Sequence, residues 1–172
     1  MASHGIRYAQ GLQVVPLTAP AALSTDGESA WVELENMHWL SFLISLGALS
    51  GTTNTINFAV KSTTSATSGT TAAGDYALPF DYRLSSAVAS DDWGDITSVT
   101  TATGYVQVTG ADDNKLLLIE LNPDVIPAHD SDAKYVYLDY DIALESTDSA
   151  IFGAVGIFEP RYPQVEQLSS TA

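Results

Sequence analysis

With 172 residues, 45% of them hydrophobic and 16% charged, the chain is long enough for one domain with a sizeable core and has the composition of a globular protein. It has no cysteine, which excludes disulfides, thiolate nucleophiles and cysteine-based zinc sites. Its 21 acidic residues against 6 basic ones give a formal charge of −15. The basic residues (Arg7, Lys61, Arg83, Lys115, Lys134 and Arg161) are scattered, so neither nucleic acid nor an anionic membrane is an expected partner.

From the N-terminus, residues 1–5 lack a basic stretch followed by an apolar one, so no secretory signal is expected and the chain reads as made in a cytoplasm. Residues 1–19 read as an extended, proline-punctuated arm. Leu12, Val14, Val15 and Leu17 make it too apolar for a free tail, and they are candidate subunit or partner contacts. Thr25-Asp26-Gly27 signals a turn. Strict alternation then predicts a strand over residues 38–46, with Leu40, Phe42, Ile44 and Leu46 on one face and Trp39, Ser41, Leu43 and Ser45 on the other. The apolar run over 40–49 is too short and too interrupted to span a bilayer.

After the Ser50-Gly51 turn, residues 54–61 alternate again, with Ile56, Phe58 and Val60 inward. Residues 61–74 are almost all Ser, Thr, Ala and Gly, and they predict a long mobile loop. Turn signals return at residues 91–94 and 110–114, on either side of a short strand carrying Val106 and Val108. Residues 116–121 and 151–158 are apolar on both faces, as in central strands or strands whose outer face meets another subunit. Gly153 and Gly156 in the second mark a bulge or a close backbone approach. Residues 122–129, with two prolines, predict one helical turn. Residues 134–144 alternate most clearly, with Val136, Leu138, Tyr140, Ile142 and Leu144 opposite Tyr135, Tyr137, Asp139 and Asp141. The whole is an all-β pattern: an antiparallel β-sandwich, jelly-roll-like, over residues 20–160, followed by a tail at 161–172.

The residues carry no catalytic signature. His4, His38 and His129 lie in unrelated contexts, and there is no nucleophile elbow or phosphate-cradling glycine loop. Asp139 and Asp141 share a strand face about 6.5–7 Å apart, a spacing compatible with glycoside hydrolysis or a hard cation. In so acidic a chain a solvated face is the simpler reading. Asp112, Asp113 and Asn114 crowd one turn and Asp130 and Asp132 another, without the spaced oxygen ligands of a calcium loop. No catalytic residue, cofactor or metal is therefore expected. Tyr135 and Tyr137, read as outward-facing, suit either a sugar-stacking platform or a subunit contact.

Three stretches carry a resemblance. They are Val32-Glu33-Leu34-Glu35-Asn36-Met37-His38-Trp39-Leu40-Ser41-Phe42 followed by Gly47, Phe80-Asp81-Tyr82-Arg83, and Ile157-Phe158-Glu159-Pro160-Arg161-Tyr162-Pro163. Together they resemble small decoration (cement) proteins that coat the heads of tailed bacteriophages. The resemblance implies a jelly-roll-like, homotrimeric structural protein of the virion, bound to the major capsid protein on the capsid exterior. Arg161, pairing with an acidic group, and Tyr162 are expected to fix the chain's exit. The alternative reading is a receptor- or glycan-binding sandwich of a phage fibre or tail. It would show exposed aromatics clustered with Asp and Asn around one cleft.

Overall fold

Alternating apolar and polar side chains become antiparallel strands, the one arrangement in which such segments bury one face and satisfy their backbone groups. The computed structural model describes residues 12–35, 37–49, 53–65, 76–88, 90–145 and 148–160. In chain order the strands are β1 (Gln13–Leu23), β2 (Gly27–Glu28), β3 (Val32–Glu33), β4 (Met37–Leu49), β5 (Thr55–Thr63) and β6 (Tyr76–Ala77). They continue as β7 (Phe80–Leu84), β8 (Thr97–Val99), β9 (Val106–Thr109), β10 (Leu116–Leu121), β11 (Tyr135–Ala143) and β12 (Ala150–Pro160). Between β10 and β11, a 3-10 turn (Pro123–Val125) runs into a single helical turn, α1 (Ile126–His129), as the proline pair predicts.

The strands form two antiparallel sheets packed face to face. The first has the order β1-β12-β4-β10-β7-β8. The second has the order β2-β11-β5-β6, with β3 also on β11 and β9 also on β5. Across the two sheets the pairings nest. β1 pairs with β12, β2 and β3 with β11, β4 with β10, and β5 with β6 and β9. Each early strand thus lies beside a correspondingly late one, as if one long two-stranded ribbon had been folded over.

The core lies between the sheets. Leu40, Phe42, Ile44 and Leu46 of β4 face Ile56, Phe58 and Val60 of β5 and Val136, Leu138 and Tyr140 of β11, all buried. Phe152 of β12 joins the two sheets directly. Its ring meets Phe58 edge-on at 5.1 Å and Tyr140 at 4.9 Å between centroids. Edge-to-face pairs of this kind add about 0.5–1.5 kcal/mol each beyond area burial.

Two segments differ from the sequence reading. Residues 61–63 belong to β5 rather than to a loop, because Ser62 and Thr63 are buried there and the Ser62 hydroxyl donates to Asp130 at 2.8 Å. The rest of the predicted loop, from 66 to 74, lies outside the described residues. Residues 13–19, read as arm, run as part of β1 along the edge of the first sheet and pair with β12. The two glycines of β12 explain the fit. A Cβ on Gly153 would lie 2.8 Å from Pro20 Cγ, and one on Gly156 would lie 3.0 Å from Leu17 Cδ1. β1 shifts register over the same stretch, between Pro16 and Ala21.

Candidate functional site

The outer faces of the two sheets differ in chemistry. On the second sheet part of the outward face is a patch of mutually bonded polar side chains. Gln107 donates to Asn57 at 3.0 Å, Asn57 donates to Asp141 at 3.5 Å, and Lys61 pairs with Asp139 at 2.7 Å. Asp139 and Asp141, the sequence's candidate carboxylate pair, are therefore engaged in cross-strand contacts that span β9, β5 and β11. The acidic turns are likewise put to structural use. Asp113 accepts from the Leu49 amide at 2.7 Å, Asp112 pairs with Lys115 at 3.1 Å, and Asp26 accepts from the Ile142 amide at 2.7 Å. Buried Asp130 accepts from Ser62 and from the Asp132 amide. Among the described residues, no three His, Asp or Glu side chains come together in a group able to hold a metal ion.

The first sheet is different. Register places Pro16 beside Val155, Val155 beside Leu43, Leu43 beside Leu118, and Leu118 beside Arg83, all on the outward side of the pleat. Val14 and Ile157 form the next pair along β1 and β12. Leu43, Leu118, Val155 and Ile157 are only half-buried and do not pack on the core, while Val14 and Leu116 are 44% and 37% exposed. An apolar band thus crosses four strands where a solvated face would carry polar residues. Two polar atoms on this face, Ser41 Oγ and Arg83 Nε, are buried without a hydrogen-bond partner. Such orphans cost on the order of 1–3 kcal/mol unless an approaching surface supplies a partner.

At one end of this band the face holds an open depression of about 520 Å³, lined among the described residues by His38, Trp39, Asn122, Asp124 and Glu159. Trp39 and Glu159 are cross-strand neighbours on β4 and β12. Asn122 follows the last residue of β10, whose Leu121 pairs with Leu40. It caps the 3-10 turn, its side-chain carbonyl accepting from the Asp124 amide at 3.0 Å, and Pro123 beside it is buried. Nothing in sequence spacing links these residues, because 83 positions separate Trp39 from Asn122 and register alone joins them. The available signal was an aromatic residue at the start of a strand and an Asn-Pro-Asp turn at the end of another.

The residues singled out as contacts fall into three groups. Val14 is exposed on the apolar face, and Leu12 and Tyr135 are half-buried. Leu17 belongs to the core cluster and Val15 packs against it, since β1 turns those side chains inward. Tyr137, expected on the surface, is 1% exposed. β11 is a central strand, flanked by β5 on one side and by β2 and β3 on the other, and Tyr137 lies outside the core cluster. It offers no stacking platform. Arg161 and Tyr162 lie outside the described residues. Burial, reinforced by the negative charges of Glu28 and Asp139, raises the Tyr140 phenol above its ordinary 10.0. No helix among the described residues is long and apolar enough to cross a membrane. No family model, curated protein or solved structure matches the chain.

Proposed function

We propose that this chain is a non-catalytic structural protein of a tailed-phage virion. It decorates the capsid exterior as a homotrimer and attaches to the major capsid protein through the outer face of its first sheet. The observation that carries the reading is the contrast between the two outer faces. One carries a bonded polar patch, the other an exposed or half-buried apolar band of Pro16, Leu43, Leu118 and Val155 that lies outside the core cluster. A band of this kind suits the centre of an interface, where apolar groups leave water and charged residues are depleted.

The nested strand pairing supports a jelly-roll assignment. Eight principal positions, with β2 and β3 sharing one and β6 and β9 another, follow the folded-ribbon order, and the β7–β8 hairpin extends one sheet. The charge of −15 suits a shell's outside better than an interior lined with DNA.

The test introduces a charge on the band. Leu43→Lys and Val155→Lys place a solvated ammonium where docking would bury it, at several kcal/mol per buried ion. Both variants keep the core residues and are expected to remain folded by circular dichroism. Mixed with capsids stripped of this protein, the unaltered chain co-sediments and the variants stay in the supernatant. Co-sedimentation of both variants at wild-type affinity would remove this face from the interface.

A further inference from the structure

The β7–β8 hairpin displays apolar side chains that lie outside the core cluster. Val88 and Ile96 are 57% and 55% exposed and Trp93 is 37% exposed. Over residues 85–99 the sequence also holds three exposed carboxylates, Asp91, Asp92 and Asp95, and no Lys or Arg. We propose that this hairpin is the principal anchor of the interface, seating Trp93 and Ile96 in an apolar pocket of the shell protein whose rim carries Lys or Arg. The inference rests on the shell-docking reading above and names the chemistry of the surface that receives the protein.

Local bonding holds these groups in place before any partner arrives. The Ser85 amide donates to the Leu116 carbonyl at 2.9 Å and the Leu116 amide to the Ser85 hydroxyl at 3.0 Å, which ties the hairpin to β10. Trp93 bridges to Ser85, so Ser85 links Trp93 to the exposed Leu116. The Gly94 amide donates to the Leu84 carbonyl at 2.9 Å, and a Cβ on Gly94 would lie 3.2 Å from that same oxygen. The Ser86 amide on the Asp92 carbonyl at 3.0 Å and the Asp92 amide on the Ser90 hydroxyl at 3.1 Å close the turn. A side chain shown on a bonded scaffold loses less freedom on docking than one on a free loop. Exposed Trp beside aliphatic side chains is also the composition of an interface hot spot. Leu116 and Leu118 share the outer face of β10, and Leu118 lies beside Leu43, so the hairpin continues the apolar band to the edge of the sheet.

Charge selects the partner. Asp92 and Asp95 flank Trp93 in the chain, so a pocket that takes the indole meets carboxylates at its rim. Over residues 80–99 the hairpin has four carboxylates, Asp81, Asp91, Asp92 and Asp95, against Arg83 alone. The nearby Lys115 is paired with Asp112 at 3.1 Å. A rim of Lys or Arg complements this arrangement, whereas a second copy of a chain charged −15 would bring carboxylates to carboxylates.

The test measures the Kd of the full chain for capsids stripped of it, by co-sedimentation at about 50 mM and about 500 mM salt. The unaltered chain should bind more weakly at the higher salt. Trp93→Ala should weaken binding roughly tenfold or more. Ile96→Ser, at a more exposed position, should weaken it in the same sense and reports on the contact even if loss of the indole disturbs the fold. Asp92→Asn/Asp95→Asn should weaken low-salt binding and lose most of the salt dependence. Glu35→Gln/Asp132→Asn, an equal charge change at exposed carboxylates on other loops, should keep both. The proposal fails if Trp93→Ala and Ile96→Ser bind within about twofold of the unaltered chain, or if the two neutralised pairs behave alike. It also fails if Trp93→Ala disperses an oligomer in the absence of capsids, which would make the hairpin a contact between copies. Failure of the unaltered chain to bind capsids would overturn this proposal and the shell reading together. Loss of binding in Trp93→Ala with retention in Leu43→Lys would keep the hairpin and remove the band, and the reverse would keep the band and remove the hairpin.

Discussion

Phe152→Ala tests whether the two sheets are held together as described. Phe152 is 1% exposed and is the ring through which β12 of one sheet meets Phe58 and Tyr140 of the other. Truncating a buried Phe to Ala costs about 3–5 kcal/mol through lost transfer energy and the cavity left behind. Two edge-to-face contacts disappear as well, each worth about 0.5–1.5 kcal/mol. The expected loss therefore lies at the upper end, about 4–5 kcal/mol, a large share of a typical stability of about 5–15 kcal/mol. Phe152→Leu retains most of the volume but not the ring pairs and should cost about 1–2 kcal/mol. Equilibrium urea unfolding, followed by circular dichroism and fluorescence, reads both. With m of about 2 kcal/mol/M, the alanine midpoint should fall by roughly 2 M with m unchanged. A loss below about 1.5 kcal/mol for alanine would mean that the sheets do not close on this ring.

Three further outcomes follow from particular contacts. Tyr140 has its phenol raised above 10.0 by burial first and then by Glu28 and Asp139. Below pH 10.0 both folded and unfolded chains keep this proton, and above it the unfolded chain loses it first. Stability should therefore fall as pH climbs from 10.0 through the raised folded value, by at most about 1.4 kcal/mol per pH unit. Tyr140→Phe should flatten that alkaline slope, and an unchanged slope in denaturant titrations would contradict the assignment. Gly153→Ala should push β1 away at Pro20 and cost about 1–3 kcal/mol. Hydrogen exchange should quicken along β1 while β5 and β11 stay protected, and unaltered β1 exchange would argue against its close seating. Asp130→Ala strands the buried Ser62 hydroxyl and should cost about 1–3 kcal/mol. Adding Ser62→Ala should recover part of that loss, and strict additivity in the double-mutant cycle would show that the two side chains are not coupled.

The strands with clean alternation were legible because period two is written locally. The side chains predicted inward on β4, β5, β9 and β11 are buried, apart from Leu144, which is half-buried against the core, while Ser41 and Tyr137, predicted outward, are buried as well. Gly153 and Gly156 were legible for a similar reason, since a missing side chain inside an apolar run points to backbone approach. Pairing order was not legible, because which late strand returns beside which early one depends on contacts more than a hundred residues apart. The bond that the Leu138 amide of β11 donates to the Ser29 hydroxyl oxygen is one instance. The burial of Tyr137 was not legible either, because alternation gives a side chain's face but not what lies over that face. The double-sided apolarity of residues 116–121 and 151–158 admitted two explanations, central position or an outer contact. β10 and β12 are central strands whose outer side chains also form the apolar band. The depression was hidden because Trp39, Asn122 and Glu159 meet only through strand register.

The most direct test of the central claim is the copy number of this protein in purified virions from its source. Quantitative mass spectrometry against the major capsid protein would give it. A decoration protein should be present at a simple whole-number fraction of the shell protein. A handful of copies per particle would place the chain in a fibre or tail instead, and absence from particles would contradict a virion role altogether.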